Sequence, residues 1–403
     1  MRGRVPALLR DARVAAEDED MNKNLRHDAQ INIKSIRHGQ IIGRAFSTLG
    51  FGDNFQNEIR WYLERCYSEG QRFYHTFDHV NQMLERMNLV INLETREAAL
   101  LVLAVLFHDC VYDPTRHDNE ERSAVQIRHF LQLGSNNLSQ DEIDRLIGLV
   151  LSTKLFKYEA FMTDPLAQAL RMLDLWSLAH FDMAEQINIA WKLFKEFQFL
   201  SWPIYVQGRA EFLRELKVLV PAASRSVDFA LDYLRTMHPR VGYFAGSFCP
   251  AHVGHLSVLR QAEQMFDKVI LGVGINRQKL VSSDHVQIEQ VLDERCAQVR
   301  DVFRFHEVDR CADLLTGALQ NKDWPVLVRG LRTDTDFKNE EQMLRVLQDL
   351  RSELRVVYVP CEKNVEHVSS TVLRELDAFG GYKGTLLYGL SAKEVYALNG
   401  DLR

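Results

Sequence analysis

Between residues 40 and 237 apolar positions recur at three- and four-residue steps. The densest run is Leu100, Leu101, Leu103, Ala104, Leu106 and Phe107, and Glu142–Leu151 and Ala184–Phe197 keep the same period. That spacing lines one face of an α-helix. Short breaks at Gly, Asp or Pro separate the segments, and no stretch alternates as a half-buried strand does. This half therefore predicts a bundle of helices. The pattern changes after Met237-His238-Pro239. Short β-rich runs, Val241–Ala245, Lys268–Val273, Phe303–Val308, Val326–Val328 and Arg355–Val359, now alternate with helical runs. The helical runs are Gly254–Phe266, Leu292–Val302, Ala312–Gln320, Asn339–Leu350 and Ser370–Asp377. Such alternation predicts a parallel sheet covered by helices on both faces. The chain thus reads as multidomain: an all-α domain over 31–238, then an α/β domain over 239–403.

Composition narrows this only slightly. Of 403 residues, 46% are hydrophobic and 26% charged, which is ordinary for globular domains. The formal charge of −6 argues against general nucleic-acid binding, so an anion must be held by a few placed groups. The six cysteines form no CxxC pair and suggest reduced thiols in a cytoplasmic protein. No apolar run approaches the roughly 18 residues of a membrane span. Residues 1–30 read as a disordered leader: Arg2, Arg4, Arg10 and Arg13 precede Glu17-Asp-Glu-Asp20, too acidic for a targeting peptide, and Met21 offers an alternative start.

The first strand of the second half runs into Gly246-Ser-Phe-Cys-Pro-Ala-His-Val-Gly-His255. A glycine turn leading into a helix near Gly254 aims backbone N–H groups and the positive helix end at an anion. His252 and His255, three apart, share one face of the helix start. Taken singly, Ser369-Ser-Thr371 would be a helix cap, Arg329 and Arg332 surface charges, and Lys279 uninformative. Their order is what carries meaning. His-x-Gly-His here resembles the signature of the nucleotidyltransferase superfamily. Phe266-Asp-Lys-Val-Ile270, Lys279, Arg329-Gly-Leu-Arg332, Asp336-Phe337, Glu340-Glu-Gln-Met343 and Val368-Ser-Ser-Thr371 resemble, in order, the phosphopantetheine adenylyltransferases.

The resemblance implies a Rossmann-like domain that moves the adenylyl group of ATP to 4′-phosphopantetheine, releasing dephospho-coenzyme A and pyrophosphate. It implies His255, Lys279 and Arg329 as catalytic residues. Ser247, Phe248, His252, His255, Arg332, Glu340, Ser369, Ser370 and Thr371 would surround the nucleotide, with Glu340 at the ribose. Ser247, Lys279 and Arg329 would hold the acceptor. Mg²⁺ would accompany ATP, and a homo-oligomer is expected. Two departures stand out: Cys249 replaces an Asp usual in that turn, and Leu280–Val291 is longer than in the family.

The helical half carries Tyr74-His-Thr-Phe-Asp-His79, Phe107-His108-Asp109 and Leu173-Asp174-Leu175. Imidazole and carboxylate groups on separate helices can converge on one divalent metal, with Mn, Fe, Ni, Zn or Mg all suited. A buried His–Asp pair with no metal remains the alternative. The pattern resembles the HD superfamily of metal-dependent phosphohydrolases over about residues 45–225, with His79, His108, Asp109 and Asp174 as implied ligands. His75, Arg122 and Lys154 are implied as phosphate contacts. The expected whole is an HD-type phosphohydrolase fused to an adenylyltransferase. Transfer to another phosphate acceptor, or a non-catalytic sensor of coenzyme A-like nucleotides with a structural HD bundle, are the alternatives.

Overall fold

The computed structural model describes residues 39–155, 157, 162–275, 285–311, 326–332, 334–378, 388–390 and 395. Lys279, the leader and the helix expected over 312–320 lie outside the described residues. The helical half runs α1 (Gly39–Thr48), α2 (Asp53–Tyr67), α3 (Phe77–Arg86), α4 (Arg96–Phe107), α5 (Asn119–Leu133), α6 (Gln140–Ser152) and α7 (Pro165–Asp174). It continues with α8 (Trp176–Ala179), α9 (Met183–Glu196), α10 (Trp202–Leu219) and α11 (Ser224–Thr236).

Helix α4 is the axis of the bundle. Every residue from Ala98 to Phe107 is buried, so the helix has no solvent face and sits at the centre of its neighbours. Thr95 starts it, its hydroxyl accepting from the Ala98 N–H at 3.1 Å. Its last turn delivers His108 and Asp109 to the place where α3 and α7 bring His79 and Asp174. A second core, around Phe194, Tyr205, Leu213, Leu216 and Val227, joins α9, α10 and α11.

Beyond Pro239 come β1 (Val241–Gly246), α12 (Val253–Met265), β2 (Lys268–Gly274), α13 (His285–Val302) and β3 (Glu307–Cys311). Then follow β4 (Val326–Leu331), α14 (Asp334–Leu350), β5 (Val356–Pro360) and α15 (Ser370–Ala378). The five strands form one parallel sheet in the order β3-β2-β1-β4-β5. Side chains alternate between its faces. Phe244, Val269, Leu271 and Val328 pack with α12 and α13, while Tyr243, Ala245, Ile270 and Leu327 pack under Leu347 of α14. Gly272 is required beside Tyr243, because a Cβ there would lie 2.2 Å from the ring.

Two sequence expectations need correction. The third strand is Glu307–Cys311 rather than Phe303–Val308. Phe303 is instead wholly buried against Phe248, and a turn closed by His306 N–H to Phe303 O at 2.9 Å precedes the strand. Helix α13 begins at His285 rather than Leu292, and Ile288 and Val291 carry its apolar stripe back into the segment after Lys279.

The halves meet along α12, β2 and the turn before β3. Lys268, 2% exposed, pairs with Glu307 at 2.6 Å and donates to Leu200 O. The Val269 N–H donates to the Gln198 side chain at 3.3 Å. Glu263 of α12 meets His306 at 2.9 Å, and its carbonyl accepts from Lys195 at 3.2 Å. Arg304 pairs with Asp113, four residues beyond the His108-Asp109 pair at the end of α4.

Candidate functional sites

A cavity of about 440 Å³ opens at the C-terminal ends of β1 and β4, the position that open α/β sheets use for ligands. Two helix N-termini border it. Helix α12 contributes His252, Gly254 and His255, and α15 contributes Ser369, Ser370 and Thr371. Both ends present backbone N–H groups and positive dipole ends, which suits phosphates. Ser369 also caps α15, accepting from the Val372 N–H at 3.1 Å, and Ser370 donates to Pro250 O at 3.0 Å. The cap and the cavity wall are thus the same residues.

The two imidazole rings lie tilted at 30° with their centroids 3.7 Å apart. Gly254 makes room: a Cβ there would lie 3.1 Å from the His252 ring. The His252 N–H donates to His255 Nδ1 at 3.2 Å, which leaves Nε2–H as the donor of the neutral His255 ring. Burial, and then the Arg332 guanidinium, hold His252 down at about 4. Burial, His252 and Arg332 hold His255 well below the usual histidine range. His252 Nδ1 is buried with no hydrogen-bond partner, a vacancy that a ligand can fill.

Arg329 grips Glu340 through two contacts, Nε–Oε2 at 2.7 Å among them, and donates to Ala245 O at 3.1 Å. Arg332 and Ser247 line the same cavity. The structure therefore brings together Ser247, His252, His255, Arg329, Arg332, Glu340, Ser369, Ser370 and Thr371. Phe248 differs. It is 3% exposed, lies behind the cavity wall and packs against His255 at 4.9 Å between ring centroids. Its φ of 45° is a conformation that bulky residues avoid, retained because the ring is clasped by Phe244, His255 and Phe303. Arg295, Cys361 and Arg374 also line the cavity, and sequence reasoning did not single them out.

Residues 243–376 match the cytidylyltransferase-like family. Over 142 residues the chain is 31% identical to the phosphopantetheine adenylyltransferase of Clostridium perfringens (strain SM101), covering 35% of this chain and 84% of that protein. Over 146 residues it is 32% identical to that of Bradyrhizobium sp. (strain BTAi1), covering 35% and 87%. The chain belongs to the phosphopantetheine adenylyltransferase family. The helical half lies outside the family's matched stretch, and among the described residues no helix is long and apolar enough to cross a membrane.

Beside this adenylyltransferase-family domain, the helical half holds a second cluster. Ligand atoms of His79, His108 and Asp109 lie within 4.8 Å of one another. Asp174 Oδ1 is 3.1 Å from His79 Nε2 and 3.9 Å from His108 Nε2. His108 Nδ1 faces Val105 O at 2.8 Å, which places the proton on Nδ1 and leaves Nε2 a lone pair. That Nε2 is buried without a hydrogen bond, 3.0 Å from Asp109 Oδ2. Facing lone pairs repel unless a cation sits between them. A proton can fill that role. Burial alone would lower His108, but Asp109 and then Asp174 overrule it and raise it to about 9. The donor set fits a divalent metal equally well.

Sequence reasoning missed Glu196. This wholly buried carboxylate accepts from the N–H groups of Phe73, Tyr74 and His75 at 2.8, 2.7 and 2.9 Å. It also meets His75 Nδ1 at 2.7 Å and the Tyr112 hydroxyl at 2.8 Å. It thereby fixes the loop before His79 and turns His75 Nε2 toward Asp109, 4.0 Å away. Lys154, expected at a phosphate, is tied to Glu121 at 2.7 Å and Glu120 at 3.4 Å.

Proposed function

We propose that the α/β half transfers the adenylyl group of ATP to 4′-phosphopantetheine. The observation that carries this is the joining of His252 and His255, two helix N-termini and Arg329 and Arg332 around one cavity, in a chain whose relatives bear that name. An oxygen of the acceptor phosphate attacks the α-phosphorus, the bond to the β-phosphate bridge breaks, and pyrophosphate leaves. The acceptor is itself the nucleophile, so the protein must position and neutralise charge. His255 donates from Nε2 to the α-phosphate as charge builds there. The start of α15 holds the β- and γ-phosphates, with Arg332 beside it. Ser247 and Arg329 face the acceptor, and the family resemblance assigns Lys279 to the same phosphate. Mg²⁺ bound with ATP would neutralise charge on the phosphates, while Glu340 of the cavity wall stays engaged with Arg329.

The test is pyrophosphate release by the full chain with MgATP and 4′-phosphopantetheine, beside His255→Ala. Release that requires the acceptor and falls roughly 100-fold or more in the variant supports the reading. ATP binding without release favours another acceptor or a sensor.

The second cluster supports a second reading, a metal-dependent phosphohydrolase of HD type in the helical half. His79, His108, Asp109 and Asp174 would hold a divalent metal whose role, when bound, is to activate water against a phosphate ester. His75, anchored by Glu196, would orient that ester. Mn²⁺ titration of the wild type and of His108→Ala, followed by p-nitrophenyl phosphate hydrolysis, tests it. No metal binding by the wild type would leave a hydrogen-bonded core cluster.

A further inference from the structure

Helix α13 buries Leu292, Cys296 and Val299, the inward stripe of a 3.6-residue period. Arg295 falls on that stripe, one turn from both Leu292 and Val299. Arg295 is half-buried there, and a guanidinium that turns from an apolar stripe into a cavity is placed to meet an anion. Among the described residues Arg295 has no hydrogen-bond or ion-pair partner. Asp293, on the same helix, is engaged by Arg310 at 3.1 Å. The loop from Ser247 to His252 contains no acid. Glu340 is bound to Arg329 on β4. Arg295 instead lines the cavity.

Sheet order decides which anion it awaits. Helix α13 packs on β2 and β3, to one side of β1. Arg332 follows β4 and Ser369–Thr371 follow β5, to the other side. His255 stands between them, at the end of β1. In-line displacement puts the attacking oxygen opposite the departing pyrophosphate. With pyrophosphate on the α15 side, the attacking phosphate comes from the α13 side. We propose that Arg295 binds the phosphate of the acceptor and so selects phosphorylated acceptors, an inference that rests on the adenylyl-transfer reading.

Calorimetric titration of the full chain tests this, with a non-hydrolysable MgATP analogue bound and two probes, 4′-phosphopantetheine and inorganic phosphate. Arg295→Met keeps the apolar stem of the stripe, and Arg295→Lys keeps the charge without the fork. Both probes should bind roughly 10- to 100-fold more weakly to Arg295→Met, as for loss of a charge-assisted hydrogen bond, with partial recovery in Arg295→Lys. Affinity for the ATP analogue alone should not change. Equal phosphate affinity in wild type and Arg295→Met, including none in either, overturns the proposal. So does an equal loss for the ATP analogue, which would place Arg295 on the nucleotide. Phosphate binding that needs Arg295, in a chain that ignores 4′-phosphopantetheine, upholds Arg295 and removes pantetheine as the acceptor.

Discussion

Replacing Glu196 by alanine removes the acceptor for five donors at once: three backbone N–H groups, the His75 ring and the Tyr112 hydroxyl. Each buried group left unsatisfied costs about 1–3 kcal/mol, and breaking a buried charged pair about 3–5 kcal/mol, and the two are not additive. The loop can let some water in, so the expected loss is about 4 kcal/mol for Glu196→Ala. Glu196→Gln keeps an oxygen for the three N–H groups. The Tyr112 hydroxyl and the His75 ring can then accept from the new amide, which limits the loss to about 2 kcal/mol. Urea unfolding followed by far-ultraviolet circular dichroism measures both.

The pH dependence fixes the mechanism. Burial on its own would raise the Glu196 carboxyl, but His75 and the N–H groups overrule it and hold it down. Its contribution is therefore complete above the unfolded carboxyl value and fades as pH falls. Burial would likewise lower His75, but Glu196 overrules it and raises it. That contribution is complete below the unfolded imidazole value and fades as pH rises past the folded one. The gap between wild type and Glu196→Ala should thus be widest from about pH 5 to about pH 6.5. A loss under about 1 kcal/mol, or a gap indifferent to pH, would refute the reasoning.

Other perturbations address the cavity. Because His252 is held at about 4 in the fold, stability should fall as pH drops from the unfolded value near 6.5, by about 3 kcal/mol on reaching the folded one; His255 acts in the same direction, and MgATP should blunt the fall in a pH series of melts. Glu340→Gln frees Arg329 from its two-point clamp, and turnover in the pyrophosphate assay should drop about 10- to 100-fold with the fold intact. Gly254→Ala pushes the His252 ring by a few tenths of an ångström; turnover should fall about tenfold while unfolding by urea barely changes.

What the sequence could reveal follows from distance along the chain. Helical periods and strand–helix alternation are local, so the bundle and the order of the sheet elements were legible. His252 and His255 are one turn apart, and their pairing was legible for the same reason. His108 and Asp109 were legible because they follow a strongly apolar helix directly. Glu196 was not, since its partners lie 84 to 123 residues away and a glutamate closing an amphipathic helix looks like any solvated one. The packing of Phe248 against Phe303 was not legible either, because only the fold brings the two together. Arg295 left a faint mark, a charge on an apolar stripe.

The contact between the halves bears on how such a chain can be taken apart or shuffled. Pro239 looks like a seam, yet Gln198, Leu200 and Lys195 of the helical half reach across it to β2 and α12. A fragment beginning at the α/β half would expose the flank around Lys268, Glu263 and His306 and forfeit those bonds. The helical half is therefore part of the transferase's outer wall, and inheritance of one without the other would demand that this wall be rebuilt.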